Sequence, residues 1–427
     1  QFLLREGDGM SEIIINGGKR LSGRVSVQGA KNSVLPVLAG TVLCGGESVV
    51  HNCPMLSDVE TSLKILEHLG CKCRREGGAV IVDSSGVSEH DIPDSLMREM
   101  RSSVVFLGAV IGRMGRAVIS SPGGCELGPR PIDLHLSALE RMGVTITEEH
   151  GYLKCTAENG LHGAEIHLGF PSVGATENII LAAAAAAGVT VIHNAAKEPE
   201  ISDLADFLNS AGARISGCGS DTVRIEGVKR LGGTEHTIIP DRIVAATYMA
   251  CAAVTGGEIE LENVMPPHMV SLLWSFRECG CDISVSGKGL RLSAPERLRR
   301  IPTLRSLVYP GFPTDAGPVA VAMLASAEGT SVFVENIFEN RYRYIDELNR
   351  FGTKIKTEGK TAVIEGVGEL SGAHAKATDL RGGAALVVAA LKAHGASEIG
   401  DTHHIERGYE KITERLSSLG ADISYKR

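Results

Sequence analysis

Residues 179–212 read IILAAAAAAGVTVIHNAAKEPEISDLADFLNSAG. The first nine are apolar or alanine, a composition suited to a helix buried on all sides. Gly188 is placed to end it, as glycine commonly does just past a helix. Val189-Thr190-Val191-Ile192 is β-branched and predicts a strand. A loop with Asn194 follows, then a second helix from Ile201 to Ala211. Its apolar positions, Leu204, Phe207, Leu208 and Ala211, recur at helical spacing. Gly212 stops that helix, and Ala213 to Gly227 predicts a closing hairpin.

The same pattern occurs along the whole chain. Small or apolar residues before glycine recur at Leu69-Gly70, Met142-Gly143, Ala211-Gly212, Cys279-Gly280, Phe351-Gly352 and Leu419-Gly420, in steps of 73, 69, 68, 72 and 68 residues. A second series, Gly46, Gly115, Gly188, Gly257, Gly329 and Gly395, runs 23 to 28 residues upstream of it, each glycine opening a β-patterned run. Two series in phase over most of the chain define six βαβαββ-like units of about 70 residues, longer than a solenoid repeat of roughly 20–50. One buried and one amphipathic helix per unit suggest helices inside and sheets outside.

Composition narrows the function. Lys+Arg number 43 and Asp+Glu 51, a net charge of −8. With aromatics at 4% and one Trp, a nucleic-acid binder is disfavoured. The longest apolar run, Ile179 to Ile192, is 14 residues, short of the roughly 20 a membrane span needs. Residues 1–9 lack a signal core and read as upstream sequence, with Met10 the expected start. The ten cysteines are expected to be reduced thiols. The pairs Cys71/Cys73 and Cys279/Cys281 have a C-x-C spacing unlike the usual zinc spacing, and read as small residues on one face of a strand.

Chemistry is expected where the units differ. Unit two carries Ser120-Ser121-Pro122-Gly123-Gly124-Cys125-Glu126-Leu127-Gly128-Pro129-Arg130-Pro131, a glycine- and proline-punctuated loop. Cys125 lies five residues from Arg130, and a nearby cation favours a thiolate. An incidental loop cysteine has the same appearance. Unit one opens on Gln28-Gly29-Ala30-Lys31-Asn32-Ser33, either an anion-binding helix start or an ordinary one with a surface lysine. Asp315, in Gly311-Phe312-Pro313-Thr314-Asp315-Ala316, is a candidate general base or a helix N-cap. Lys31, Arg101, Asp315 and Arg381 precede the second-series glycine of their units by 15, 14, 14 and 14 residues. Arg130, Arg341 and Arg407 follow it by 15, 12 and 12. With helix and strand as antiparallel neighbours, all would face one end of a unit. An arginine cluster in an acidic protein suggests a small polyanionic ligand, although each arginine singly could serve a surface salt bridge.

The motifs GAKN (29–32), PGGCELGPRP (122–131), SVGAT (172–176), NAAKEPEI (194–201), PDRI (240–243), FPTD (312–315), FENR (338–341), TDLR (378–381) and HIERGYE (404–410) together resemble the UDP-N-acetylglucosamine 1-carboxyvinyltransferases, enolpyruvyl transferases of peptidoglycan synthesis. The resemblance runs from about Ile13 to Tyr425. It implies a two-domain inside-out α/β barrel, residues 31–239 forming one domain and 10–30 plus 240–427 the other, with the active site in the cleft between and the Cys125 loop as a lid. The implied reaction moves the enolpyruvyl group of phosphoenolpyruvate to the 3′-hydroxyl of UDP-N-acetylglucosamine and releases phosphate.

Cys125 is implied as proton donor and site of a covalent adduct, and as the target of fosfomycin. Asp315 is implied as general base, and Lys31, Arg130 and Arg407 as clamps on phosphoenolpyruvate, with Arg341 and Arg381 nearby. Asn32, Arg101, Arg130, Pro131, Ile132, Asp133, Leu134, Phe170, Pro171, Ser172, Val173, Gly174 and Ile337 match family positions that hold the sugar nucleotide. Glu126 and Leu127 depart from the small residue and Ile usual in the family's loop. No metal or cofactor is expected. A monomer in the bacterial cytoplasm is. Three rivals remain: the sister transferases acting on shikimate 3-phosphate, which lack the cysteine loop; a silent UDP-sugar sensor; and a phosphate-binding or nucleic-acid-end-processing protein built on similar repeats.

Overall fold

Each repeated helix is stopped by a glycine that the backbone needs. In the computed structural model, which describes residues 12–120, 132–287 and 289–426, Gly70, Gly143, Gly212, Gly280, Gly352 and Gly420 all have φ between +85° and +107°. That left-handed conformation follows an amphipathic helix each time, as at Ser57–His68, Pro199–Ser210 and Val270–Glu278. The next residue's amide then reaches back to a carbonyl five residues earlier: Cys71 to Leu66 at 2.9 Å, Val144 to Leu139 at 3.1 Å, Ala213 to Leu208 at 2.9 Å, Cys281 to Phe276 at 3.0 Å and Ala421 to Leu416 at 3.1 Å. This is the Schellman closure, which satisfies a helix carbonyl and turns the chain into the following strand.

The closure revises the reading of the cysteine pairs. Cys71 and Cys281 occupy the residue after the glycine, where a buried apolar side chain seals the helix end. Cys279 caps the helix Val270–Glu278 and lies on no strand, while Cys73 lies on the strand Lys72–Glu76. Burial pushes all four thiols up to about 12, so they are inert at neutral pH. Gly188 also differs from expectation. The helix before it ends at Ala184, four residues earlier, and Gly188 (φ +94°) turns the chain directly into the strand Val189–His193.

Among the described residues the strands form six four-stranded sheets. In the third unit Glu165–His167 runs parallel to Val189–His193, which pairs antiparallel with Thr222–Glu226 and that with Arg214–Ser216. Three sheets borrow a strand from a distant stretch of chain. Glu235–Thr237 supplies the parallel strand of the first, beside Glu47–His51. Ser22–Ser26 supplies that of the fourth, beside Glu258–Glu262. Ile13–Asn16 lies between Ala396–Gly400 and Asp422–Tyr425 in the sixth.

The buried helices are α1 (Lys31–Gly40), α2 (Phe106–Met114), α3 (Val173–Ala184), α4 (Arg242–Val254), α5 (Gly317–Leu324) and α6 (Leu380–Lys392). Every residue of α5, and of α4 from Ile243 on, is buried. The strands alternate buried and exposed side chains, as in Thr222–Glu226. Each unit therefore places helices inside and sheet faces outside. Small residues permit the close helix packing: a Cβ on Gly108 of α2 would lie 2.3 Å from the Asn178 carbonyl oxygen of α3.

The chain divides into two compact bodies, one of residues 28–241 with 308–310, the other of 12–27, 242–307 and 311–426, each with its own apolar core. No helix among the described residues is long and apolar enough to cross a membrane.

Candidate active site

The first body presents Lys31 as the opening residue of α1. Gly29 makes that start possible. It bridges to Pro240, and a Cβ on it would sit 1.8 Å from the Asn52 carbonyl oxygen. The Lys31 amide donates to Asp241 Oδ2 at 3.1 Å, and its ammonium lies 2.7 Å from Asp58 Oδ2. Both side chains of the ion pair are at least nine-tenths buried. Asn32, next along the helix, is exposed.

Ile132, Asp133 and Leu134 stand at the start of the helix Asp133–Arg141, and Phe170, Pro171, Ser172, Val173 and Gly174 at the start of α3, which packs against it. Ser172 caps α3, its hydroxyl accepting the Ala175 amide at 3.3 Å. Phe170 is exposed. Beneath both helix starts lies the buried His135. Asn178 accepts the Gly108 amide through Oδ1 at 2.7 Å, so its NH2 group must donate: to the Val104 carbonyl at 3.1 Å and to His135 Nδ1 at 2.9 Å. A ring nitrogen that accepts is unprotonated. Burial lowers His135 to about 4 and outweighs the opposing charge of Asp133. His135 is thus a neutral spacer whose ring lies 3.1 Å from where a Gly174 Cβ would fall.

NAAKEPEI has a structural part in the same body. Glu177 of α3 is buried, and its carboxyl is pushed well above the usual range by desolvation and by Glu200 and Glu198.

The second body gathers three charged candidates directly. Asp315 lies in the short turn Thr314–Ala316 ahead of α5, whose N-cap is Ala316, so Asp315 is no N-cap. Its Oδ1 accepts Arg341 Nη2 at 3.0 Å and its Oδ2 accepts Arg381 Nη2 at 3.2 Å. Both arginine side chains are almost wholly buried, whereas Asp315 is about a quarter exposed. A carboxylate between two cations is held as the anion and aimed by two charge-assisted bonds, each of about 1.5–3 kcal/mol. Arg381 also contacts Tyr409 Oη at 3.4 Å, and Tyr409 contacts Thr247 Oγ1 of α4 at 2.9 Å. Asp379 caps α6 by accepting the Arg381 and Gly382 amides at 2.9 and 3.0 Å. Arg407, half-buried, lies two residues before Tyr409. Ile337 follows Glu335 on the loop that carries Arg341, its amide 2.8 Å from Glu335 Oε1.

Cys125, Arg130 and Pro131 lie outside the described residues, as do residues 1–11 and the side chain of Arg101, whose backbone opens the turn leading to α2.

Against known proteins, the family model for EPSP synthase (3-phosphoshikimate 1-carboxyvinyltransferase) matches residues 15–416. The chain belongs to this family. Among its relatives, UDP-N-acetylglucosamine 1-carboxyvinyltransferase 2 of Caldanaerobacter subterraneus subsp. tengcongensis is 52% identical, over 97% of this chain and 99% of that one. UDP-N-acetylglucosamine 1-carboxyvinyltransferase 1 of Symbiobacterium thermophilum is 48% identical, over 96% and 94%. Two solved structures share the fold: the enolpyruvyl transferase NikO from Streptomyces tendae (TM-score 0.87, 24% identity, 98% and 99% coverage) and EPSP synthase from Acinetobacter baumannii (TM-score 0.76, 20% identity, 98% and 100% coverage).

Several residues that shape these clusters carry no sequence signal. Asp58 pairs with Lys31 from 27 residues away, and Asn178 meets His135 across 43. Glu335 is a buried carboxylate in an otherwise β-patterned run. Tyr409 and Asp241 lie within HIERGYE and PDRI, and nothing local in the sequence distinguishes them. Tyr344 Oη is buried with no hydrogen-bond partner among the described residues, and desolvation pushes it well above the usual phenol range.

Proposed function

We propose that this chain transfers the enolpyruvyl group of phosphoenolpyruvate to the 3′-hydroxyl of UDP-N-acetylglucosamine and releases phosphate, the first committed step of peptidoglycan synthesis. The observation that carries it is the Asp315 carboxylate held between Arg341 and Arg381. The acceptor follows from the relatives, which at 44–52% identity over nearly the whole chain are named UDP-N-acetylglucosamine 1-carboxyvinyltransferases.

The chemistry needs a proton on the methylene carbon of phosphoenolpyruvate, which leaves the adjacent carbon electrophilic. Cys125 supplies that proton and also forms a covalent adduct with phosphoenolpyruvate. The sugar hydroxyl attacks that electrophilic carbon as Asp315 takes its proton. The tetrahedral product then loses a methyl proton and phosphate, restoring the enol double bond. Lys31, Arg130 and Arg407 bind phosphate and carboxylate, with Arg341 and Arg381 beside the base, and offset the charge that grows on the leaving phosphate. Asn32, Arg101, Arg130 to Leu134, Phe170 to Gly174 and Ile337 hold the sugar nucleotide. The reading places the protein in the bacterial cytoplasm as a monomer and makes Cys125 the residue alkylated by fosfomycin.

The test is phosphate release from phosphoenolpyruvate with either UDP-N-acetylglucosamine or shikimate 3-phosphate, beside Cys125→Ala and Asp315→Asn. Release with the sugar nucleotide only, lost in both variants, is expected. Release only with shikimate 3-phosphate would move the chain to the sister activity and make Cys125 incidental.

A further inference from the structure

Glu335 is a heavily bonded carboxylate near the Asp315 cluster, and no step above uses it. It follows the strand Thr330–Val334 and is 1% exposed. Its Oε1 accepts Ser306 Oγ at 2.8 Å, the Ile337 amide at 2.8 Å and the Phe338 amide at 3.1 Å. Its Oε2 accepts Thr314 Oγ1 at 2.8 Å. Burying an anion costs several kcal/mol unless its lone pairs are met; four donors meet them here. A buried apolar residue would be the ordinary occupant of this inward strand-end position.

The donors come from three segments. Ser306 follows the neighbouring parallel strand Thr303–Arg305 and also bonds Asn336, accepting its amide at 2.8 Å. Ile337 and Phe338 belong to the loop that delivers Arg341, whose guanidinium carbon lies 5.7 Å from the Phe338 ring centre. Thr314 is bonded to Asp315 through the chain. Its hydroxyl is held by Glu335, and its carbonyl accepts Arg341 Nη2 at 3.2 Å, the same nitrogen that reaches Asp315. The base and one of its two arginine partners are therefore tied to a common anchor, the first through Glu335 Oε2 and the second through Oε1.

We infer that Glu335 is a positioning residue for the transfer reaction, setting Asp315 through the Thr314 hydroxyl and Arg341 through the 337–338 amides. The inference rests on the proposed function. It gives Glu335 no contact with substrate and no proton to move. Its effect is the placement of a base whose misplacement by about 1 Å can cost a hundred-fold in rate.

The two hydroxyls on this carboxylate allow a test that separates positioning from stability. Thr314→Val removes the bond on the Asp315 side and keeps the side-chain shape. Ser306→Ala removes a bond of equal length on the far side, together with the Asn336 contact. The expected result is that Thr314→Val lowers kcat about ten-fold or more, with KM for both substrates within about two-fold. Thr314→Ser, which keeps the hydroxyl, restores kcat. Ser306→Ala lowers the melting temperature at least as much as Thr314→Val and leaves kcat within about two-fold. Wild-type kcat in Thr314→Val overturns the inference, and so do parallel losses of kcat and stability in both variants. Wild-type protein that releases no phosphate with UDP-N-acetylglucosamine overturns the function as well; turnover by the wild type with either of the former results overturns the positioning role alone.

Discussion

His135 makes the first body acid-sensitive, by an amount the hydrogen bonds around it define. The Gly108 amide fixes Asn178 Oδ1, so the Asn178 NH2 group must point at His135 Nδ1, and the ring is locked neutral. Its ring lies at about 4 in the fold, against 6.5 ordinarily, because burial excludes the water that would stabilise the imidazolium. Between those values the unfolded chain holds a proton that the folded chain refuses, so acidification favours unfolding by about 1.4 kcal/mol per pH unit. From pH 7.5 to pH 5.0 the single ring should remove about 2 kcal/mol of stability, and the contribution is intact above about 6.5. His135→Asn keeps an acceptor near the Nδ1 position and removes the titration. A chain with two bodies need not unfold in one step, so the assay is hydrogen exchange by mass spectrometry on peptides covering 106–114 and 133–141, with and without urea. The wild type should lose about 2 kcal/mol more than His135→Asn over that pH interval. Equal pH dependence in the two proteins would refute the argument, as would a ring proton titrating near 6.5 by NMR in the native state.

Three further perturbations follow from contacts in the clusters. Gly29→Ala puts a methyl group 1.8 Å from the Asn52 carbonyl, which should cost about 3 kcal/mol or more in thermal unfolding; Gly46→Ala, whose methyl group meets nothing closer than 3.7 Å, should stay within about 0.5 kcal/mol. Asp58→Asn removes the carboxylate 2.7 Å from the Lys31 ammonium and should destabilise the first body by about 3 kcal/mol in urea. The double change Lys31→Met with Asp58→Leu should recover most of that and none of the activity. Arg381→Lys keeps the charge but cannot reach Asp315 and Tyr409 together, so phosphate release should fall about ten-fold with little change in melting temperature.

The six-fold repetition was legible because one backbone requirement, a left-handed residue after each amphipathic helix, can be met cheaply only by glycine, leaving a mark at fixed spacing. The buried helices were legible from composition alone. The borrowed strands were not. Glu235–Thr237 is three residues long, too short for a period of two to register, and no local pattern says that Ile13–Asn16 will pair with Ala396–Gly400. Repeat phase also anticipated that Asp315 and Arg381, at the starts of different buried helices, would lie on the same side as Arg341. The residues that hold those groups leave no local mark in the sequence. Asp58 and Asn178, and Glu335 in its bonds to Ser306 and Thr314, act through contacts to segments between 20 and 75 positions away, and a buried carboxylate or amide in a sequence looks the same as an exposed one.

The geometry also explains how cations come to stand at helix starts. The first turn of a helix carries partial positive charge, so Lys31 at the start of α1 and Arg381 at the start of α6 oppose the helix dipole, at a cost of about 0.3–1 kcal/mol each before burial is counted. Burial alone would deepen that cost. In both places the chain sets two carboxylates around the cation. One accepts the backbone amide at the helix start, Asp241 for Lys31 and Asp379 for Arg381. The other meets the side-chain charge itself, Asp58 for Lys31 and Asp315 for Arg381. The first kind cancels the unfavourable end of the helix, and the second keeps the cation charged while it is dry. What remains is a fixed positive group with its local field already balanced. On the proposed function, an anionic ligand group would meet in each body a cation already fixed in place, and the second carboxylate is the group whose hold on that cation it would have to weaken. At Lys31 that carboxylate is almost completely buried and has no assigned role in the chemistry. At Arg381 it is Asp315, about a quarter exposed and assigned to take the proton of the attacking hydroxyl. On the proposed function the same electrostatic arrangement would serve as an anion clamp in one body and as a base with its own arginines in the other, and the difference rests on how far the partner carboxylate reaches into solvent.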